Sequence, residues 1–187
     1  MNYALIRKND IANGPGVRVS LVVSGCRHHC KGCFNPETWS FSYGKPFTDE
    51  VIEEILRALK PDYIAGLSLL GGEPFEPENQ EALVKLTSLA KERYPKKTIW
   101  CYSGFTFETQ LLRGKVGDPE TCLALLGNID VLVDGTFKEE FKDASLLFRG
   151  SSNQNIIDVQ RSLQEGKMIL LAGKWTRTMG SGDINEI

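Results

Sequence analysis

Arg18-Val19-Ser20-Leu21-Val22-Val23-Ser24-Gly25-Cys26-Arg27-His28-His29-Cys30-Lys31-Gly32-Cys33 is the stretch on which the architecture of this chain turns. Its first half is rich in β-branched residues and reads as a strand that stops at Gly25. Three thiols follow within eight residues, so a polar cysteine loop sits at the C-terminal end of a strand. In α/β folds that end is where function gathers. Cys101 and Cys122 lie far away in sequence. Three clustered thiols without an obvious fourth suggest a metal centre with one open position, since a closed structural site takes four ligands.

Working outward, residues 3–12 form a mixed segment suited to a short edge strand, ended by the turn Asn13-Gly14-Pro15-Gly16. Residues 34–47 lack periodicity and read as loop. Thr48 is a candidate N-cap, followed by Asp49 and Glu50. Val51, Ile52, Ile55, Leu56 and Leu59 then make the apolar stripe of an amphipathic helix. Leu67-Ser68-Leu69-Leu70 reads as a buried strand running into Gly71-Gly72-Glu73-Pro74, and a helix is expected over about 78–92. Thr98–Tyr102 is a third strand, closed by Ser103-Gly104. A short helix near 106–112 comes next, then one opened by Asp118 and Pro119. Ile129–Val133 is a fourth strand, stopping at Asp134-Gly135. Leu146-Leu147-Phe148 is expected as a fifth, with a helix near 156–163 and a strand at 168–171.

Strands alternating with helices imply parallel βαβ units. A closed eight-fold barrel typically needs about 250 residues, more than the 187 present. The expected fold is therefore α/β: a partial, open (β/α) TIM-like barrel of about five or six parallel strands in a single domain. That domain should span residues 1–173, with 174–187 as a flexible C-terminal tail rich in Gly, Ser and Thr.

With 41% hydrophobic and 25% charged residues the composition is that of an ordinary soluble domain. No apolar run approaches the roughly 18 residues of a membrane span, and the N-terminus lacks the regions of a secretory signal. A cytoplasmic location with reduced thiols is expected. A net charge of −2 argues against wrapping nucleic acid or lying on an anionic membrane. Residues 1–45 nonetheless carry +4 against −6 for the remainder. Solvated side chains and a docking face for an acidic partner both remain open.

The spacing Cys26-x3-Cys30-x2-Cys33 suits a four-iron cluster with one iron left free, because such clusters take one protein ligand per iron. Zinc held by the three thiols and His28 or His29 is the rival. Beyond the thiols, Asn13-Gly14-Pro15-Gly16-Val17-Arg18, Ser24-Gly25-Cys26, Cys33-Phe34-Asn35, Gly71-Gly72-Glu73-Pro74, Val133-Asp134-Gly135 and Arg149-Gly150-Ser151-Ser152-Asn153-Gln154 complete a recognisable set. Together these segments, spread over roughly residues 1–160, resemble the small activating enzymes of anaerobic ribonucleotide reductase, within the radical S-adenosylmethionine (SAM) superfamily. Gly32 departs from the superfamily's commonest pattern, where an aromatic often precedes the third cysteine. The activase subgroup shares that variation.

The resemblance implies a [4Fe–4S] cluster on Cys26, Cys30 and Cys33, with SAM chelating the fourth iron and being cleaved to methionine and a 5′-deoxyadenosyl radical. The implied protein substrate is the large subunit of anaerobic ribonucleotide reductase, on which a glycyl radical is made, and a flavodoxin-like protein would donate the electron. Gly71, Gly72 and Glu73 would meet the methionine amino group, for which close backbone approach fits physically; taken alone, Gly-Gly is a plain turn. Asp134 is expected at the barrel mouth, accepting from ribose hydroxyls, with a turn-forming Asp-Gly as the alternative. Ser103 would contact the SAM carboxylate or ribose, or cap a strand end. Arg149 would pair with the same carboxylate or sit on the surface. No acid–base partner is apparent for His28 or His29, and Cys101 and Cys122 read as core thiols. Two rivals remain: another small radical SAM enzyme such as a pyruvate formate-lyase activase, and a zinc-binding interaction module, which leaves Gly71–Pro74 and Asp134 unexplained.

Overall fold

A computed structural model describes residues 1–172; the expected tail lies outside them. Seven strands form one sheet in the order β3-β1-β2-β4-β5-β6-β7. They are β1 (Asn2–Asp10), β2 (Val17–Val23), β3 (Lys45–Pro46), β4 (Ile64–Gly71), β5 (Thr98–Tyr102), β6 (Val131–Asp134) and β7 (Asn155–Asp158). The run β2-β4-β5-β6 is parallel. Four strands make that run, rather than five or six, because the margins are antiparallel: β1 pairs with β2 and β3, and β7 with β6. The sheet is open, as an incomplete barrel requires.

Helices α1 (Asp49–Leu59), α2 (Pro77–Arg93) and α3 (Pro119–Asn128) separate the parallel strands, and α4 (Val159–Glu165) follows β7. Asp118 caps α3 by accepting from the Thr121 N–H at 2.9 Å, whereas Thr48 stands at the start of α1 without a side-chain bond. Residues 34–47 contain a 3-10 turn, Pro36–Trp39, besides β3. The expected helix near 106–112 is a single π-helical turn, Phe107–Leu111. Leu146–Phe148 is not a strand; it belongs to a loop. The stretch read as one helix from 156 is β7 followed by α4, and only Leu170 of the last expected strand pairs, bridging to Ile157. No helix among the described residues is long and apolar enough to cross a membrane.

The two faces of the sheet have different fates because strand side chains alternate. Val19, Leu21, Val23, Leu67, Leu69, Ile99, Cys101 and Leu132 point outward. There they meet the apolar stripes of α1, α2 and α3, including Ile55, Leu83 and Leu125, in the main core. Cys101 and Cys122 are both buried in it, as expected. The intervening residues point inward. Trp100, Val131, Val133 and Ile156 make a smaller cluster, joined by Tyr102 and Phe148, and no helix among the described residues packs in it.

At the N-terminal end of the parallel strands this inner space is plugged by Arg18, which is fully buried. Its Nε donates to Ser68 Oγ at 2.7 Å, and its Nη2 donates to the carbonyls of Leu67 and Thr98, each at 2.8 Å. Nη1 reaches Thr98 Oγ1 at 3.1 Å, and the guanidinium lies 5.8 Å from the Trp100 ring. Burial lowers its pKa to about 10, so it stays charged at neutral pH. One side chain thereby braces β2, β4 and β5. Removing it strands several buried acceptors, so Arg18→Met should lower the unfolding free energy by about 3 kcal/mol. Urea titration measures this, with Arg18→Lys recovering less than half because an ammonium cannot span the same acceptors.

Candidate metal centre

Strands β2, β4 and β5 end side by side, and the loops that leave them rim a pocket of about 560 Å³. Cys26, Cys30, Cys33, Gly71, Gly72, Glu73 and Ser103 all line it. Residues far apart in sequence are thus brought to one wall, through the strand-end placement that the alternation of elements implies.

Asp134 is the predicted site residue that the structure sets apart. On β6, Val131 and Val133 face inward, so alternation turns Asp134 to the outer face. There it is buried, accepting from the Phe107 N–H at 2.8 Å and from Asn155 Nδ2 at 2.9 Å. Its carboxylate holds the π-helical turn and β7 in place, and Gly135 lines the pocket in its stead.

The cysteine loop is held by main chain. Gly25 and Cys26 donate to the carbonyls of Thr38 and Trp39, at 2.8 and 3.1 Å. From the β4 turn, Gly72 donates to Val23 O and Glu73 to Gly25 O, both at 2.8 Å. This closeness explains the glycine pair. A Cβ on Gly72 would lie 2.6 Å from Gly25 O and 2.9 Å from Thr38 O, all backbone atoms with nowhere to move.

Glu73 does more than line the wall. It is 1% exposed, and its carboxylate is filled by donors from the turns after β4 and β5. Oε1 accepts from Ser103 Oγ at 2.8 Å and from the Phe75 N–H at 2.9 Å; Oε2 accepts from the Gly104 N–H at 2.7 Å. His28 Nε2, from the cysteine loop, stands 3.2 Å from Oε2, an ion-pair distance. That neighbour holds the His28 pKa above its ordinary value. The imidazole rests edge-on against Phe105, with ring centroids 4.5 Å apart, and over Gly104, where a Cβ would meet it at 2.6 Å. Ser103 is occupied too, its Oγ accepting from the Phe105 N–H at 3.1 Å. Glu73 and Ser103, both expected to touch a ligand, therefore also brace the loops that form the pocket wall.

Burial pushes the Cys26 thiol up to about 11, against the backbone N–H groups of His28 and His29 that favour its thiolate. Cys30 is raised as well, by burial and then by the neighbouring Cys33. Binding a metal here must expel protons, and the cation supplies the charge that makes this favourable. Zinc in a Cys₃His site fits poorly. His28 is committed to Glu73, and His29 stacks on Trp39 with centroids 4.7 Å apart. Among the described residues no three His, Cys, Asp or Glu groups converge tightly enough for a single ion. Three thiols spread over one pocket wall suit a multi-iron cluster, in which each binds its own iron.

The far wall is the loop from 136 to 154, tied to the cysteine loop by Lys31–Glu139 at 3.1 Å and by the Phe34–Phe137 ring pair. Gln154 organises its end. Its Oε1 accepts from the N–H groups of Gly150 and Ser151, at 2.8 and 3.1 Å, and its Nε2 donates to Gly135 O at 3.0 Å. Arg149 is anchored there, Nη1 donating to Gln154 O at 2.9 Å, and lines the pocket rather than the surface. Tyr102, which no spacing marked, also faces inward.

In Glu73→Gln an amide N–H₂ would replace an oxygen that two donors require. The variant should lose about 2 kcal/mol of stability, and the metal-free protein should take up less iron per chain on reconstitution. Denaturant titration and iron analysis read the two effects. Gly72→Ala should lose iron binding as well, because its methyl group forces the β4 turn away from the cysteine loop.

A family model described as a 4Fe-4S single cluster domain matches residues 12–157. An anaerobic ribonucleoside-triphosphate reductase-activating protein of Vibrio cholerae is 44% identical over 158 residues, covering 83% of this chain and 97% of the relative. Proteins of the same name from Enterobacteria phage T4 and Escherichia coli K12 are each 40% identical over 156 residues, covering 93% and 96% of their own lengths. With a pocket lined by three thiols and full-length similarity to these relatives, the chain belongs to the family of anaerobic ribonucleoside-triphosphate reductase-activating proteins and carries a 4Fe-4S single cluster domain.

Proposed function

We propose that this protein is a radical SAM activase that acts on an anaerobic ribonucleoside-triphosphate reductase, with Cys26, Cys30 and Cys33 as the three cluster ligands and SAM as the second cofactor. What supports this most is one juxtaposition: the three thiols and the Gly71–Gly72 turn line the same pocket. When bound, the cluster and SAM supply the reductive cleavage that yields methionine and a 5′-deoxyadenosyl radical able to take a hydrogen from a glycine of the reductase.

The chain's own part is positioning and exclusion of water. Cys26, Cys30 and Cys33 would hold the cluster as thiolates, and the cysteine loop offers no fourth thiol. Gly71 and Gly72 expose backbone to the pocket beside them, where carbonyl oxygens can accept from an ammonium group. Glu73 and Ser103 fix the relation of that turn to the cysteine loop. Residues 1–173 suffice as a single working unit in this reading, with cytoplasmic operation and a flavodoxin-like electron donor. Donor docking draws little from free charge at the cysteine end. Arg27 is paired with Glu76 and Glu78, and Lys31 with Glu139.

Reconstitution with iron and sulfide under anaerobic conditions, followed by reductant, SAM and the reductase, should give a glycyl radical detectable by electron paramagnetic resonance. Cleavage of SAM without that radical would keep the chemistry and discard the reductase as substrate. In Cys30→Ala, SAM cleavage should fall to background; retained cleavage would remove the cluster assignment.

A further inference from the structure

A protein that acts on glycine faces a recognition problem, because the target residue has no side chain. Only the amide N–H and C=O groups around it are available to be read. The pocket carries two groups of matching chemistry. Tyr102 Oη and Arg149 Nε are both buried, both belong to pocket-lining residues, and both lack a hydrogen-bond partner among the described residues. Leaving such groups unpaired forfeits their hydration without recompense, which a stable fold rarely tolerates without a use.

Their surroundings favour a ligand over a structural partner. Tyr102 projects from the inner face of β5 beside Trp100, and burial pushes its hydroxyl well above the ordinary range, so it remains an O–H donor. Arg149 comes from the loop that precedes β7. Phe148 before it adopts a left-handed backbone, φ 56°, and sets its ring edge-on to Trp100 at 5.4 Å. That non-glycine conformation is strained and persists only where packing enforces it. It delivers Arg149 to the pocket with Nη1 tied to Gln154 O, leaving Nε, which can only donate. Leu70, Leu146 and Phe148 make nearby walls apolar, which strengthens a hydrogen bond to an incoming carbonyl.

We infer that Tyr102 Oη and Arg149 Nε are the backbone readers of this site, donating to peptide carbonyl oxygens that flank the target glycine of the reductase. The inference rests on the activase reading above. Unpartnered donors at these positions suit a segment whose small central residue lets its main chain enter the pocket. A bulkier residue there would hold its carbonyls out of reach.

The test compares wild type with Tyr102→Phe, which removes one oxygen and keeps the ring, and Arg149→Lys, which keeps the charge and removes Nε. With full-length reductase, the KM for glycyl-radical formation should rise about tenfold in each, the factor expected when one hydrogen bond is lost. The SAM dissociation constant, measured by equilibrium dialysis on the reconstituted protein, should stay within about twofold of wild type. A matching rise in the SAM constant would overturn the inference, since the donors would then serve the SAM carboxylate. An unchanged KM in both variants would overturn it equally. Failure of the activase reading looks different: wild type would bind SAM yet never form a glycyl radical, and both readings would fall together.

Discussion

A single buried carboxylate organises the working end of this protein. Glu73 can remain inside the fold, 1% exposed, only because donors from the β4 turn and the β5 turn fill its two oxygens, with His28 of the cysteine loop at ion-pair distance. The same donors would each be poorly satisfied without it. That mutual dependence fixes the distance between the loop bearing the thiols and the turn bearing the glycines. A cofactor bridging the two would meet a preformed gap, and little binding energy would be spent on bringing the walls together.

Behind that joint lies the division of labour between the sheet's faces. The outer face is almost wholly aliphatic and takes three helices, which supplies the stability. The inner face mixes Arg18, Ser20, Ser68, Trp100 and Tyr102, and no helix among the described residues covers it. Arg18 is the device that makes this tolerable. It satisfies carbonyls and hydroxyls at the closed end with one rigid fork, leaving the other end free for chemistry. A partial barrel thereby gains a floor without needing the missing strands.

Much of this was legible in the residues. The strand stopping at Gly25 and the three thiols after it lie at the pocket, and the glycine turn after β4 lies where strand-end logic puts it. The misreadings have physical causes. Asp134 was read from its position after a strand, yet period-two alternation decides which way a side chain points. Counted from Val131 and Val133, it faces outward. Leu146–Phe148 looks like a strand by composition, but its apolar residues serve the pocket wall and the Trp100 cluster instead. The roles of Glu73 and Ser103 depend on which loops come together, a matter of tertiary contact that no local pattern encodes. Tyr102 was hidden for the opposite reason: an aromatic inside a strand looks like core, and only its unpaired hydroxyl distinguishes it.

An open sheet also has two free margins, and exposed margins invite another chain to add a strand. On one side the two-residue β3 covers the end of β1, and Pro46 within it has no N–H to offer. On the other, Leu170 bridges back to Ile157 and occupies part of β7. Leaving one end of the barrel open for a partner creates a hazard of edge-to-edge self-association. Two very short pairings, placed where the sheet would otherwise continue, keep the molecule's stickiness confined to its pocket.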